Sequence, residues 1–155
     1  MVPVTSASAR SSRRSVAARI GLILVAAGNA ELGIWGVVAP HSFYRSYPGF
    51  GHHWVSALGV YNEHLVRDFA AASLGLSVML AAAAIWFERR IVLIAGTAFL
   101  AATLPHFAYH VTTTESFSTA DNTASLGAFV LEMVVVALAM LTAARGGTDG
   151  PPEPI

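Results

Sequence analysis

Two histidines four residues apart, His106 and His110, lie in the stretch Pro105-His106-Phe107-Ala108-Tyr109-His110. On a helix such positions share a face, so both imidazoles point the same way with a rise of roughly 6 Å between them. A second pair at this spacing, His64 and Asp68, is interleaved with a third, Glu63 and Arg67, in Asn62-Glu63-His64-Leu65-Val66-Arg67-Asp68. Imidazole and carboxylate donors without sulfur suit zinc, iron, manganese or copper(II). His106 and His110 with His64 and a carboxylate could complete a tetrahedral site or half of a dinuclear one. Haem held by two histidines, His106 or His110 with His64 or a loop histidine, is a second chemistry open to the same residues. Cysteine is absent, which removes thiolate metal sites, disulfides and thiol redox chemistry together.

The elements that must position these groups are membrane spans. With 155 residues the chain is one domain, and 55% hydrophobic residues, 12% charged residues and a mean hydropathy of +0.60 are too apolar for an ordinary soluble fold. Four runs, 16–38, 65–87, 91–109 and 124–144, are long enough to cross about 30 Å of hydrocarbon. None alternates with period two, so the expected fold is all-α, an integral membrane four-helix bundle. Every basic residue is arginine, and seven of the nine fall on one side: Arg10, Arg13, Arg14 and Arg19 precede or open the first run, Arg89 and Arg90 separate the second from the third, and Arg145 follows the fourth. The positive-inside rule then predicts both termini in the cytoplasm of a bacterial-type inner membrane, with the histidines toward the outer face. The first run continues through Gly33 to Val38, longer than a signal peptide's apolar core, and is read as an uncleaved anchor.

Residues 1–15, rich in Ser, Ala and Arg, and 145–155, rich in Gly and Pro, read as disordered cytoplasmic tails, the basic one suited to anionic headgroups. Residues 39–62 carry six aromatic rings between Pro40, Pro48 and the second span, and read as a lid on the outer face with a short helix over 53–60. The turn at 88–90 imposes an antiparallel hairpin. Asp121 or Asn122 is placed to cap the fourth span. Pro105 frees the carbonyl of Ala101, and a bend there would aim His106 and His110 inward. Glycines at 28, 33, 36, 75, 96 and 127 allow close helix approach, within the bundle or in a homo-oligomer or larger membrane complex.

Depth gathers the ionisable groups. Asp68 lies roughly 9 Å inside Asn62, Glu132 roughly 12 Å inside Ala124, and Glu31 about as deep below Pro40. Glu31, Glu63, Asp68 and Glu132 would bring four negative charges into one band against a single cation, Arg67. Carboxylates there must be protonated, hydrated or matched by a bound cation. The plainer readings are that Glu63 and Arg67 form an interfacial ion pair, that His41, His52 and His53 belong to a wet lid, and that Glu31 and Glu132 hydrogen bond between helices.

The stretches Tyr61-Asn62-Glu63-His64-Leu65-Val66-Arg67-Asp68 and Pro105 to His110 resemble the NEHLxRD and PHxxxH patterns of uncharacterised four-helix bacterial membrane proteins, the DoxX-like and DUF4345-like group. The resemblance spans about residues 16–144 and implies the fold, while supplying no reaction.

Three functions compete. The first is a metal- or haem-binding membrane protein, oxidoreductase-like in chemistry, with His64, Asp68, His106, His110, Glu31 and Glu132 as ligands, and Glu63, Arg67, Asn62 and Tyr61 in support. The second is a proton-coupled small transporter subunit working through Glu31 or Glu132. The third is an accessory or scaffold protein whose polar band only holds helices together. No phosphate loop or basic nucleic-acid surface is present, so the expected surroundings are lipid rather than nucleic acid.

Overall fold

The structure, a computed structural model, describes residues 6–146. Five α-helices and no strands are found among them: α1 (Ser6–Val38), α2 (Pro40–Ser46), α3 (Glu63–Trp86), α4 (Arg89–Thr112) and α5 (Thr119–Gly146). Stretches of α1, α3, α4 and α5 are long and apolar enough to cross a membrane, so the chain is a small multi-pass integral membrane protein. The basic segment expected to lack structure is instead helical from Ser6, because Ser, Ala and Arg residues prolong α1 without a breaker. Residues 147–155 and the first five lie outside the described residues.

Polar residues set the boundaries. Asn62 caps α3 by accepting the Leu65 N–H at 3.2 Å. Pro40 disfavours helix at Ala39, ends α1, and then serves as the first residue of α2. At α5 the cap is Ser118, three residues before the expected Asp121: the Asp121 N–H donates to Ser118 Oγ at 3.1 Å and the Ser118 hydroxyl returns a bond to Asp121 Oδ2 at 2.7 Å. The first bond is the N-cap half of a capping box; the second runs from the Ser118 hydroxyl rather than from its backbone N–H. The short lid helix lies at Pro40–Ser46 rather than over 53–60, where a single 3-10 turn, Ser56–Leu58, forms.

The four long helices form a ring in which α1 adjoins α3 and α5, and α4 adjoins the same two. The α1 to α3 contact is the most extensive and depends on glycine. A Cβ on Gly33 would stand 2.8 Å from the Ala70 carbonyl oxygen, and one on Gly36 2.6 Å from Ala70 Cβ. Gly75 and Gly127 instead have nothing within 4 Å beyond their own helices.

The apolar core lies at the end of the bundle nearest the α3–α4 hairpin. It is built from Leu22, Leu80, Val92 and Phe99 with the small residues Ala83 and Ala139 among them. Arg19 closes this end: its guanidinium donates to the carbonyls of Ala84 and Ile85 at 2.7 and 2.6 Å and lies 4.9 Å from the centre of the Phe87 ring. It thus satisfies carbonyls that the last turn of α3 leaves without helical partners.

Candidate functional site: a cavity at the histidine end

At the opposite end the helices border a half-open cavity of about 490 Å³. Every long helix contributes: Glu31 from α1, Phe69 and Ser73 from α3, Phe99, Thr103, His106 and His110 from α4, and Ser125, Phe129 and Glu132 from α5. The segment between α1 and α3 roofs it with Phe43, Tyr47, Trp54, Val55 and Leu58. Hydrophobic side chains fill the hairpin end, whereas glycine at 28 and alanine at 102 and 128 leave space here.

His106 and His110 face inward together, as their spacing predicts. Their Nε2 atoms are 3.1 Å apart and the rings stack with centroids 4.9 Å apart. One ring donates and the other accepts, so the pair holds at most one charge: two protonated Nε2 atoms would set N–H against N–H. Phe69 stacks on His106 at 5.4 Å, Phe117 on His110 at 6.0 Å, and Phe129 touches both rings. These contacts fix the imidazoles while leaving them on the cavity wall.

Glu31 and Glu132 also line the cavity, and among the described residues neither has an ion-pair or hydrogen-bond partner. Gly28, one turn before Glu31, lets the Glu132 carboxylate reach 3.9 Å from where a Cβ would stand. Both charges are felt at the roof. The Tyr47 phenol is pushed up to about 12, by burial first and then by Glu31 and Glu132, and so keeps its proton at any physiological pH.

The other candidate residues lie elsewhere. His64 and Asp68 pair with each other at 3.4 Å on the outside of α3, where their side chains are 88% and 63% exposed, and neither lines the cavity. Arg67 donates to Glu63 at 2.9 Å and to the Val37 carbonyl, tying α3 to the end of α1, and Tyr61 donates to Glu63 at 3.3 Å. Asn62 is occupied as the cap. Tyr61, Glu63 and Arg67 form a surface network, and Arg67 does not line the cavity. Among the described residues no three His, Asp or Glu side chains are placed to share one metal ion, and no third histidine reaches the cavity to oppose His106 or His110 across a haem.

A polar latch on the lid has no counterpart in the local sequence pattern. Asp121 Oδ1 accepts from His52 Nδ1 at 2.7 Å and from the Trp54 indole at 2.8 Å, pinning the roof to the start of α5. His53 donates from Nδ1 to the Arg45 carbonyl at 2.6 Å, Tyr44 donates to the Gly59 carbonyl at 2.6 Å, and His41 packs edge-on against Tyr61. The lid histidines are therefore engaged in building the lid. Sequence separations of 67 and 69 residues leave no local signal from which the Asp121 latch could be read.

Comparison with known proteins finds no matching family model, no matching curated protein and no matching solved structure.

Proposed function

We propose that this protein is a small proton-coupled membrane transporter, or the membrane subunit of one, whose substrate is a small, mostly apolar molecule held in the cavity at the histidine end. The observation that carries the reading is a cavity of about 490 Å³ placed within the spans, with aromatic walls and two carboxylates that have no ion-pair partner among the described residues. Cavities of this size take drug-sized molecules, with apolar walls supplying affinity and a few polar groups fixing orientation. Carboxylates inside a membrane are costly, and exchange of protons for a ligand is among their recurrent uses. Glu31 and Glu132 are the exchanging groups, Tyr47 contributes a permanently protonated hydroxyl, and the His106–His110 pair supplies one donor or acceptor on the far wall.

An uncharged photoreactive probe, 3-trifluoromethyl-3-phenyldiazirine, tests the cavity directly. His106 and Phe129 line the cavity and are partly exposed, so a probe bound there can reach them. Labelling at His106 and Phe129 is expected. Labels confined to outward residues such as Ile94 and Leu104 would remove the reading. Coupling is tested in proteoliposomes, where an imposed pH gradient should drive substrate flux and Glu31→Gln should abolish it.

One observation favours a second reading. Nitrogens 3.1 Å apart, as in His106 and His110, match the bite of two imidazoles about 2.0–2.1 Å from one divalent metal, with water or a bound ligand completing the shell. Metal analysis and an absorption spectrum of the purified protein test it, and a metal-free, colourless preparation indifferent to chelators would sink it.

A further inference from the structure

Resting on the cavity reading just given, we infer that the bound molecule is an organic monocation with aromatic or bulky apolar substituents, its charge seated between Glu31 and Glu132 and its body against the aromatic walls.

The cavity lining contains two carboxylates and no arginine. Neither Arg45 of the lid nor Arg67 lines the cavity; Arg67 is spent on Glu63 and the Val37 carbonyl, and Arg19 on carbonyls at the hairpin end. His106 and His110 share a hydrogen bond that admits at most one charge between them. An anion entering would meet two carboxylates and a phenol held protonated partly by those same carboxylates, and a neutral molecule would leave them uncompensated. A cation relieves this imbalance and can displace a proton in doing so.

Shape and surface chemistry point the same way. Phe69, Phe99, Phe129 and Trp54 face the cavity from three helices and the lid. Aromatic faces attract a cation through the negative centre of the ring, more strongly where water is excluded. A small hydrated metal ion would gain little from such walls, whereas an organic cation gains both the apolar burial and the ring contacts. Carboxylates from α1 and α5 and aromatic rings from α3, α4, α5 and the lid border one cavity, so a charged centre with attached rings would meet both kinds of partner.

Tetraphenylphosphonium and tetraphenylborate have nearly the same shape and opposite charge, and equilibrium binding of each to the full chain in lipid nanodiscs separates charge from fit. Saturable phosphonium binding, with borate at least about tenfold weaker, is expected, since two carboxylates in a partly desolvated site favour one sign by at least this factor. Phosphonium binding should fall about tenfold or more in Glu31→Gln/Glu132→Gln, and proton release should accompany it in the wild type. Equal binding of the two ions would overturn the cationic assignment, as would absence of saturable phosphonium binding. Because the borate comparison uses the unaltered protein, poor folding of the variant cannot rescue the inference. Diazirine labelling of His106 and Phe129 shows separately whether the cavity reading stands: labelling without phosphonium preference removes only the cation, and no labelling removes both.

Discussion

Replacement of Gly33 by alanine puts the architecture of the bundle to a quantitative test. The added Cβ would stand 2.8 Å from the Ala70 carbonyl oxygen and 2.6 Å from Leu74 Cγ. Leu74 can change rotamer, but the carbonyl belongs to α3's backbone and cannot. Ordinary carbon-to-oxygen contacts lie near 3.3–3.6 Å, so α1 and α3 must part by about half an ångström or more. Overpacking of this kind costs about 1–3 kcal/mol, against which Gly→Ala returns up to about 1 kcal/mol of helix propensity. Gly75→Ala and Gly127→Ala meet nothing within 4 Å and should show only the favourable term. The two classes should thus differ by about 2 kcal/mol, or roughly 4–8 °C in the thermal midpoint measured in one detergent. Because α1 also carries Glu31, Gly33→Ala should weaken ligand binding as well, whereas the two outward controls should not. A Gly33→Ala protein that melts at or above the wild type, alongside unchanged controls, would refute the direct α1–α3 backbone approach.

Three further outcomes follow from the roof and its surroundings. Asp121→Asn weakens the acceptor shared by His52 and Trp54, so amide exchange across residues 47–58 should quicken by about tenfold with α4 unchanged, and uniform exchange over both would refute the latch. Tyr47, whose phenol is pushed from the ordinary value of 10.0 to about 12, keeps its proton in the folded protein over that window while the unfolded chain loses it. The resulting stability is complete below pH 10 and lost as pH rises through 12, amounting to at most about 3 kcal/mol, so Tyr47→Phe should flatten the alkaline decline in thermal midpoint. Arg67→Met should change phosphonium affinity by less than about threefold, because the guanidinium serves an exposed pair outside the cavity, and a large change would return Arg67 to the site.

The four spans were legible because an apolar run of some twenty residues is long enough to cross a bilayer and too long for most buried helices of a small soluble domain. Their ends were less so: α3 starts at Glu63 and α5 at Thr119, since Asn62 and Ser118 stabilise polar first turns that a search for apolar runs leaves out. Gathering of the ionisable groups at one end was readable from the alternation of spans. Which of them face inward was not. The spacing of His64 and Asp68 is the same as that of His106 and His110, and spacing reports a shared face without its direction. Direction is decided by the close α1–α3 contact through Gly33, Gly36 and Ala70, which brings Phe69 and Ser73 to the cavity while His64 and Asp68 lie outside it. Pro40 was read as a breaker and is one for α1, yet it also opens α2, because a missing N–H is harmless in a first turn.

Solid packing at the hairpin end and hollow packing at the histidine end bear on whether a ligand crosses the bundle or leaves by the side it came from. Leu22, Leu80 and Val136 are each at most 1% exposed and lie between the carboxylates and the hairpin. A route through the protein must part that core; a route confined to the histidine end need not. The absence of cysteine makes the distinction testable with a single engineered bond. A Cβ at Gly21 would stand 2.7 Å from Val135 Cγ1, which places the two Cβ positions within about 4 Å, inside the range a disulfide accepts. In Gly21→Cys/Val135→Cys, oxidation would fasten α1 to α5 across the core while leaving the cavity walls untouched. Phosphonium binding should survive oxidation, proton-driven flux should stop, and reduction should restore it. Flux that continues in the oxidised protein would show that crossing does not require α1 and α5 to part at the hairpin-end core, and would refute a route between them.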